Sequence, residues 1–155
     1  LLGGIALVVI VASWETIGKF PSRQGEYLAL LLFSTSGLML LAGTRDLIGI
    51  FVALELTSIS QYILVGFHKD RFSSEAGMKY LLLGAIASAI LLYGMAILLG
   101  LSGSTSLNAI ATYVSESGGV AVEALLLAVV FFIVGFGFLD IQIKKINKIM
   151  PSAKA

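Results

Sequence analysis

The 155 residues are 58% hydrophobic and 12% charged, with a mean hydropathy of +1.02 and a net charge of +1. A soluble domain carries about 25% charged residues, so this chain lacks the polar surface to coat a globule, and its balanced charge offers nothing to nucleic acid. With no cysteine it forms no disulfide and ligates no iron–sulfur cluster, and its one histidine, His68, cannot make a histidine metal cluster.

A membrane-spanning helix needs about 20 apolar residues, and five stretches come near that length. The first, 1–14, is a partial span closed by Trp14, a residue suited to the membrane interface. It opens without methionine and without the basic region of a secretory signal, so the N-terminus reads as cut from a longer protein. Pro21, Ser22 and Gly25 mark a loop, and the second span follows at 27–43. Arg45 and Asp46 form a tight turn before the third span, 47–67. A polar loop from His68 leads to the fourth, 74–100. The longest connection, 101–119, includes a short stretch expected to form a surface helix, and the fifth span is 122–138. There, Gly135 and Gly137 are positions where a helix could loosen. The runs are too long, and alternate too little, for strands of a membrane barrel. The expected fold is all-α, a polytopic transmembrane helix bundle of about five spans. Residues 1–138 form the transmembrane domain and 139–155 a basic, non-spanning tail.

Basic residues orient the bundle. If the spans alternate, one side holds Lys19, Arg23, Lys69, Arg71, Lys144, Lys145, Lys148 and Lys154, and the other holds Arg45 alone. Cytoplasmic loops carry the Lys/Arg excess, so the first group faces the cytoplasm or a mitochondrial matrix.

Two charges interrupt the apolar runs. Glu55 lies near the middle of the third span, where an ionised residue costs about 2.5–3.5 kcal/mol by insertion scales. Such a group is expected to face the bundle interior or a wet cavity. Ser58 and Tyr62 follow it at i+3 and i+7 and share its helix face. The plain alternative is a protonated glutamate that hydrogen-bonds a neighbouring helix. Lys79 lies near the head of the fourth span, with Glu75 one turn before it. Its plain alternative is an i,i+4 ion pair with Glu75 at the interface, with the ammonium reaching the headgroups. Read functionally, Glu55 and Lys79 are a buried acid and base that relay protons. Small residues in the fourth span, among them Gly84, Ala87, Ser88 and Gly94, read as helix-packing positions. No nucleophile triad, phosphate loop, zinc site or haem site is present in the sequence, so bond-making chemistry by this chain is not expected.

The strings "DLIGIFVALELTSISQYILVGF", "SSEAGMKYLLLGAIASAILLYGMAILLGLSGSTSLNAI" and "FFIVGFGF" resemble the central part of the subunit N family of bacterial NADH:quinone oxidoreductase, respiratory complex I. That family is related to mitochondrial subunit 2 and to Mrp-type cation/proton antiporter subunits. The resemblance covers about 27–138 and implies part of an antiporter-like inverted-repeat fold. It also implies that Glu55, in its "LELTS" setting, and Lys79, in "EAGMKY", are proton-relay residues. By the same resemblance, NADH, flavin, iron–sulfur clusters and quinone would be handled elsewhere in the parent complex, with none of them bound by this chain. The partners would be other membrane subunits of complex I and the lipid bilayer. The location would be the bacterial plasma membrane, or the mitochondrial inner or thylakoid membrane if organellar. One departure stands out: Leu139 occupies the place of a family lysine, and the Pro-Phe-His stretch that should follow is missing. Two other functions therefore accompany the complex I reading. One is an Mrp-type sodium/proton antiporter subunit, and the other is a structural membrane subunit that transports nothing.

Overall fold

The computed structural model describes residues 2–18, 21–116 and 122–149. Among these residues every regular element is a helix: α1 (Leu2–Ala12), α2 (Trp14–Gly18), α3 (Gln24–Gly43), α4 (Leu47–Val65), α5 (Arg71–Ser102), α6 (Leu107–Glu116) and α7 (Val122–Ile149). Three of them, α3, α4 and α5, are long and apolar enough to cross a membrane, while 3–12 and 122–137 are shorter apolar stretches. The all-α membrane architecture expected from the sequence is therefore present, with three helices long enough to span and two shorter apolar stretches among the described residues. Lys19, Lys154 and the end of the expected tail, 150–155, lie outside the described residues.

Lipid-facing helices show little polar surface on any side, and many apolar residues here point outward. Leu32, Phe33, Ile59, Ile86 and Ile133 are all exposed. Small residues take over the packing, because they let backbones approach where no hydrophobic force drives helices together.

The chain divides into two compact units, 1–44 with 49–78 and 45–48 with 79–155. In the first, α3 meets α4 at Gly37. A Cβ there would lie 2.9 Å from the Ala53 carbonyl oxygen and from the Thr57 nitrogen, and against Thr57 Oγ1. Ala53, Thr57 and Ser60 are buried along this seam. The Thr57 hydroxyl donates to the Ala53 carbonyl of its own helix at 3.0 Å and reaches the Ser34 carbonyl of α3 at 3.4 Å. At the other end of α4, Gly66 meets the start of α5: a Cβ on Gly77 would lie 3.1 Å from Gly66 Cα. Tyr27, near the start of α3, stacks edge-on against Phe67, just past α4, with centroids 5.3 Å apart. The start of α3 and the end of α4 therefore lie together, as alternating spans require.

In the second unit, α5 packs on α7. The Cβ that Gly94 lacks would lie 3.1 Å from Phe131 Cβ and 3.2 Å from the Ala128 carbonyl oxygen. Gly135 faces the Leu91 side chain and the Ala87 carbonyl in the same way. Ala87, Leu91, Met95 and Ala128 are buried around it, and Tyr93 and Phe131 stack at 4.9 Å. Gly135 thus serves close approach, and α7 runs unbroken through Gly135 and Gly137 to Ile149. At its end, α5 stops on Gly103, whose φ of +67° is the left-handed conformation that glycine adopts without strain; its N–H donates to the Leu99 carbonyl at 2.8 Å.

Helix α5 starts three residues earlier than the apolar run, because Asp70 caps it. The Asp70 carboxylate accepts the Ser73 backbone N–H at 2.6 Å. Hydrogen bonds from Ser73, first the hydroxyl and then the N–H, hold the Asp70 carboxyl below the usual carboxylate range. A carboxyl depressed on folding adds stability above its unfolded pKa, about 3.9. That contribution is lost as pH falls through the lower folded value. Acidification below about pH 4 should therefore fray the first turn of α5. Amide protection factors at 72–74 should drop there, and Asp70→Asn should make them independent of pH over that window. Protection that stays flat in the wild-type protein would contradict the cap.

Orientation gives a second prediction. Single cysteines at Ser22 and Ser74 should react with an impermeant thiol reagent from one side of the membrane. One at Ser115, on α6, should react only from the other. Labelling of all three from one side would end the alternating arrangement.

Candidate functional site

Helix α4 carries two polar stripes with different fates. At about 100° per residue, Glu55, Ser58 and Tyr62 lie on one side and Ala53, Thr57 and Ser60 on roughly the opposite side. The second stripe is the seam with α3. The first is turned away from it, with Glu55 and Ser58 half-buried and Tyr62 only 5% exposed. The helix brings the three together because i, i+3 and i+7 return to the same face. Ser60 and Thr57 spend their hydroxyls on carbonyls one turn back, at 2.8 and 3.0 Å. Their face has its polar groups matched and is built for packing. Eight residues separate Glu55 from the start of α4, a rise of about 12 Å. That is near the middle of α4, Leu47–Val65, one of the helices long and apolar enough to cross a membrane.

Lys79 belongs to the other unit, on α5. The early start of that helix places Lys79 eight residues in, also about 12 Å along it. Its side chain is exposed, on a side of α5 away from buried Tyr80, Gly84, Ala87 and Leu91.

The expectation that Glu55 and Lys79 are both buried needs correction. Among the described residues no charged side chain is buried; the buried side chains that carry a polar group include Thr57, Ser60 and the phenols of Tyr62 and Tyr80. The reason is geometric: each charge projects from a helix face that the described helices cover partly, for Glu55, or leave open, for Lys79. Sequence periodicity located the faces, but it carried no information on what covers them. Nor did it reveal that Asp46 joins the start of α4 to Thr105. An aspartate just before a helix was the local signal for its capping half. No group of three or more His, Asp or Glu side chains able to hold a metal is present among the described residues.

Residues 44–142, which contain Glu55, Lys79 and the α4–α5 and α5–α7 connections, match the model of a family described as NADH:quinone oxidoreductase/Mrp antiporter, transmembrane. The chain belongs to this family. It is 45% identical over 134 residues to NADH-quinone oxidoreductase subunit N of Desulfitobacterium hafniense, covering 86% of this chain and 26% of that protein. To the protein of the same name from Dehalococcoides mccartyi it is 42% identical, covering 84% and 28%. Among solved structures it is similar to a chain of respiratory complex I from Thermus thermophilus with bound aureothin. The TM-score there is 0.60 and the identity 37%, over 72% of this chain and 24% of that one. A chain of an archaeal membrane-bound sulfane sulfur reductase gives a TM-score of 0.65 at 28% identity, over 72% and 22%. The chain thus spans about a quarter of the length of the curated relatives it matches. The family is an integral membrane one, in keeping with the apolar helices.

Proposed function

We propose that this chain is a proton-handling segment of a membrane subunit of NADH:quinone oxidoreductase, of the subunit N kind, in a bacterial plasma membrane. The observation that carries the reading is Glu55. An intramembrane carboxyl, aligned with the Ser58 hydroxyl and the Tyr62 phenol, sits on the α4 face turned away from the packing seam. An acid kept inside an apolar span is functional by default, since a leucine would remove its cost. Lys79 is the second group, a base at similar depth in its own helix. The hydroxyls of Ser58 and Tyr62 lie where a proton passing along α4 would need partners, and water bridges complete such paths. Oxidation of NADH and reduction of quinone would take place in other subunits, which carry flavin and iron–sulfur clusters. The partners of this chain would be neighbouring membrane subunits and lipid.

The Mrp half of the family description supports a second reading, a subunit of a sodium/proton antiporter. The relatives named above favour the first. Lys79→Met in the assembled complex tests the first. Quinone-linked NADH oxidation should fall by severalfold while NADH oxidation by an artificial acceptor stays normal. Co-purification without flavin or iron–sulfur subunits, together with sodium-dependent proton exchange, would favour the antiporter instead. Full quinone-linked activity in Lys79→Met would remove Lys79 from the relay and leave it an interfacial ion-pair residue.

A further inference from the structure

The start of α4 is held by a clasp that the proton-handling reading does not use. Asp46 stands one residue before the helix, and its two carboxylate oxygens have different partners. Oδ1 accepts the Ile48 backbone N–H at 2.9 Å and caps the first turn. Oδ2 accepts the hydroxyl of Thr105, 59 residues further along the chain. Two backbone bonds flank the pair: the Leu47 N–H donates to the Thr105 carbonyl at 2.8 Å, and the Leu107 N–H to the Arg45 carbonyl at 3.0 Å. They make an isolated antiparallel bridge between Asp46 and Ser106. The receiving segment is itself braced. The Ser102 hydroxyl donates to the Ser104 carbonyl at 3.0 Å, and the Ser106 N–H to the Ser104 hydroxyl at 3.2 Å. Leu47, the first residue of α4, is 4% exposed.

A lone cap would need only one oxygen. The second oxygen, spent on Thr105, ties the helix start to a fixed point after α5. Axial position matters here, because beginning a helix one residue early or late moves every later side chain by about 1.5 Å and turns it by about 100°. We propose that Asp46 is a positioning residue for Glu55: the clasp with Thr105 sets where α4 begins, and so the depth and facing of Glu55, about 13.5 Å further along. The inference rests on the proton-handling reading of Glu55, and the experiment separates the two.

In the assembled complex, a nitroxide label at Ile59, which faces outward, reports the depth of α4 through its relative access to oxygen and to a water-soluble relaxant. Proton translocation per NADH oxidised reports coupling. Loss of an N-cap changes the balance between neighbouring helix starts by about fivefold. Asp46→Ala should therefore shift the label's depth and lower protons per NADH. Thr105→Val, which removes the tie to Oδ2 and keeps the cap on Oδ1, should do the same to a smaller extent, while Thr105→Ser restores both. Because the two residues share one interaction, the double variant should be no worse than Asp46→Ala alone. A complex that fails to assemble with Asp46→Ala leaves Thr105→Val, which spares the cap, to decide. Unchanged depth and unchanged coupling in Thr105→Val overturn the proposal. If depth shifts in these variants but Glu55→Gln pumps normally, the positioning stands and the proton-handling reading of Glu55 falls.

Discussion

Gly37→Val should unseat α3 from α4 and leave little folded protein in the membrane. The position has no room: two of the three atoms that a Cβ would meet, the Ala53 carbonyl oxygen and the Thr57 nitrogen, are backbone at 2.9 Å. Backbone of a neighbouring helix cannot rotate aside as the tip of a side chain can. Two effects oppose each other in the milder Gly37→Ala. Alanine is a better helix former than glycine by about 1 kcal/mol. Overpacking costs about 1–3 kcal/mol, and rigid neighbours push toward the upper end. The clash should win, so Gly37→Ala lowers thermal stability in detergent and Gly37→Val, with two further carbons, abolishes assembly. The displaced seam would also free the Thr57 hydroxyl from Ser34. Gly100→Ala is the control. It lies inside α5 with nothing within 4 Å of the added carbon, and it should be neutral or slightly stabilising. Equal melting for the 37 and 100 variants would show that the α3–α4 seam is not as drawn.

Glu55→Gln should assemble normally and lose most quinone-linked NADH oxidation. Glutamine keeps the length and the hydrogen-bonding capacity of the side chain and removes only its titration. A positioned proton-transfer group typically contributes about 10²–10⁴ in rate, so a fall of at least about tenfold is expected. Glu55→Asp, which titrates from a shorter arm, should keep part of the activity. Glu55→Leu relieves the cost of an intramembrane carboxyl, about 2.5–3.5 kcal/mol if ionised, so it should be at least as stable as the wild type and as inactive as glutamine. That combination, greater stability with less function, separates a working acid from a packing group. A packing carboxyl would show the reverse, with Glu55→Gln active and Glu55→Leu unstable.

The spans were legible because run length and apolarity are properties of the sequence itself. Boundaries depended on groups that apolarity does not weigh. Asp70 extends α5 backward through the polar Arg71, and the basic stretch beyond Phe138 continues α7, since lysine and isoleucine sustain a helix whether or not it spans. Gly135 was misread in kind: its missing side chain serves the approach of Leu91 and Ala87 rather than a loosening of the helix. At the candidate site, helical periodicity was enough to align Glu55, Ser58 and Tyr62. Their burial was not legible, because burial is decided by what packs against a face. Lys79, exposed on α5, makes the same point. The Asp46–Thr105 clasp was invisible for a further reason, a partner 59 residues away that no local pattern announces.

Proton uptake or release by vesicles carrying the assembled complex, followed with a pH-sensitive dye as NADH is oxidised, measures the proton handling assigned to Glu55. Wild type and Glu55→Gln should be compared at matched content of complex. The expected result is a proton signal cut at least about tenfold in Glu55→Gln, with the artificial-acceptor rate unchanged and Glu55→Asp between the two. A full proton signal from a normally assembled Glu55→Gln complex would contradict the assignment and leave Glu55 a helix-packing residue.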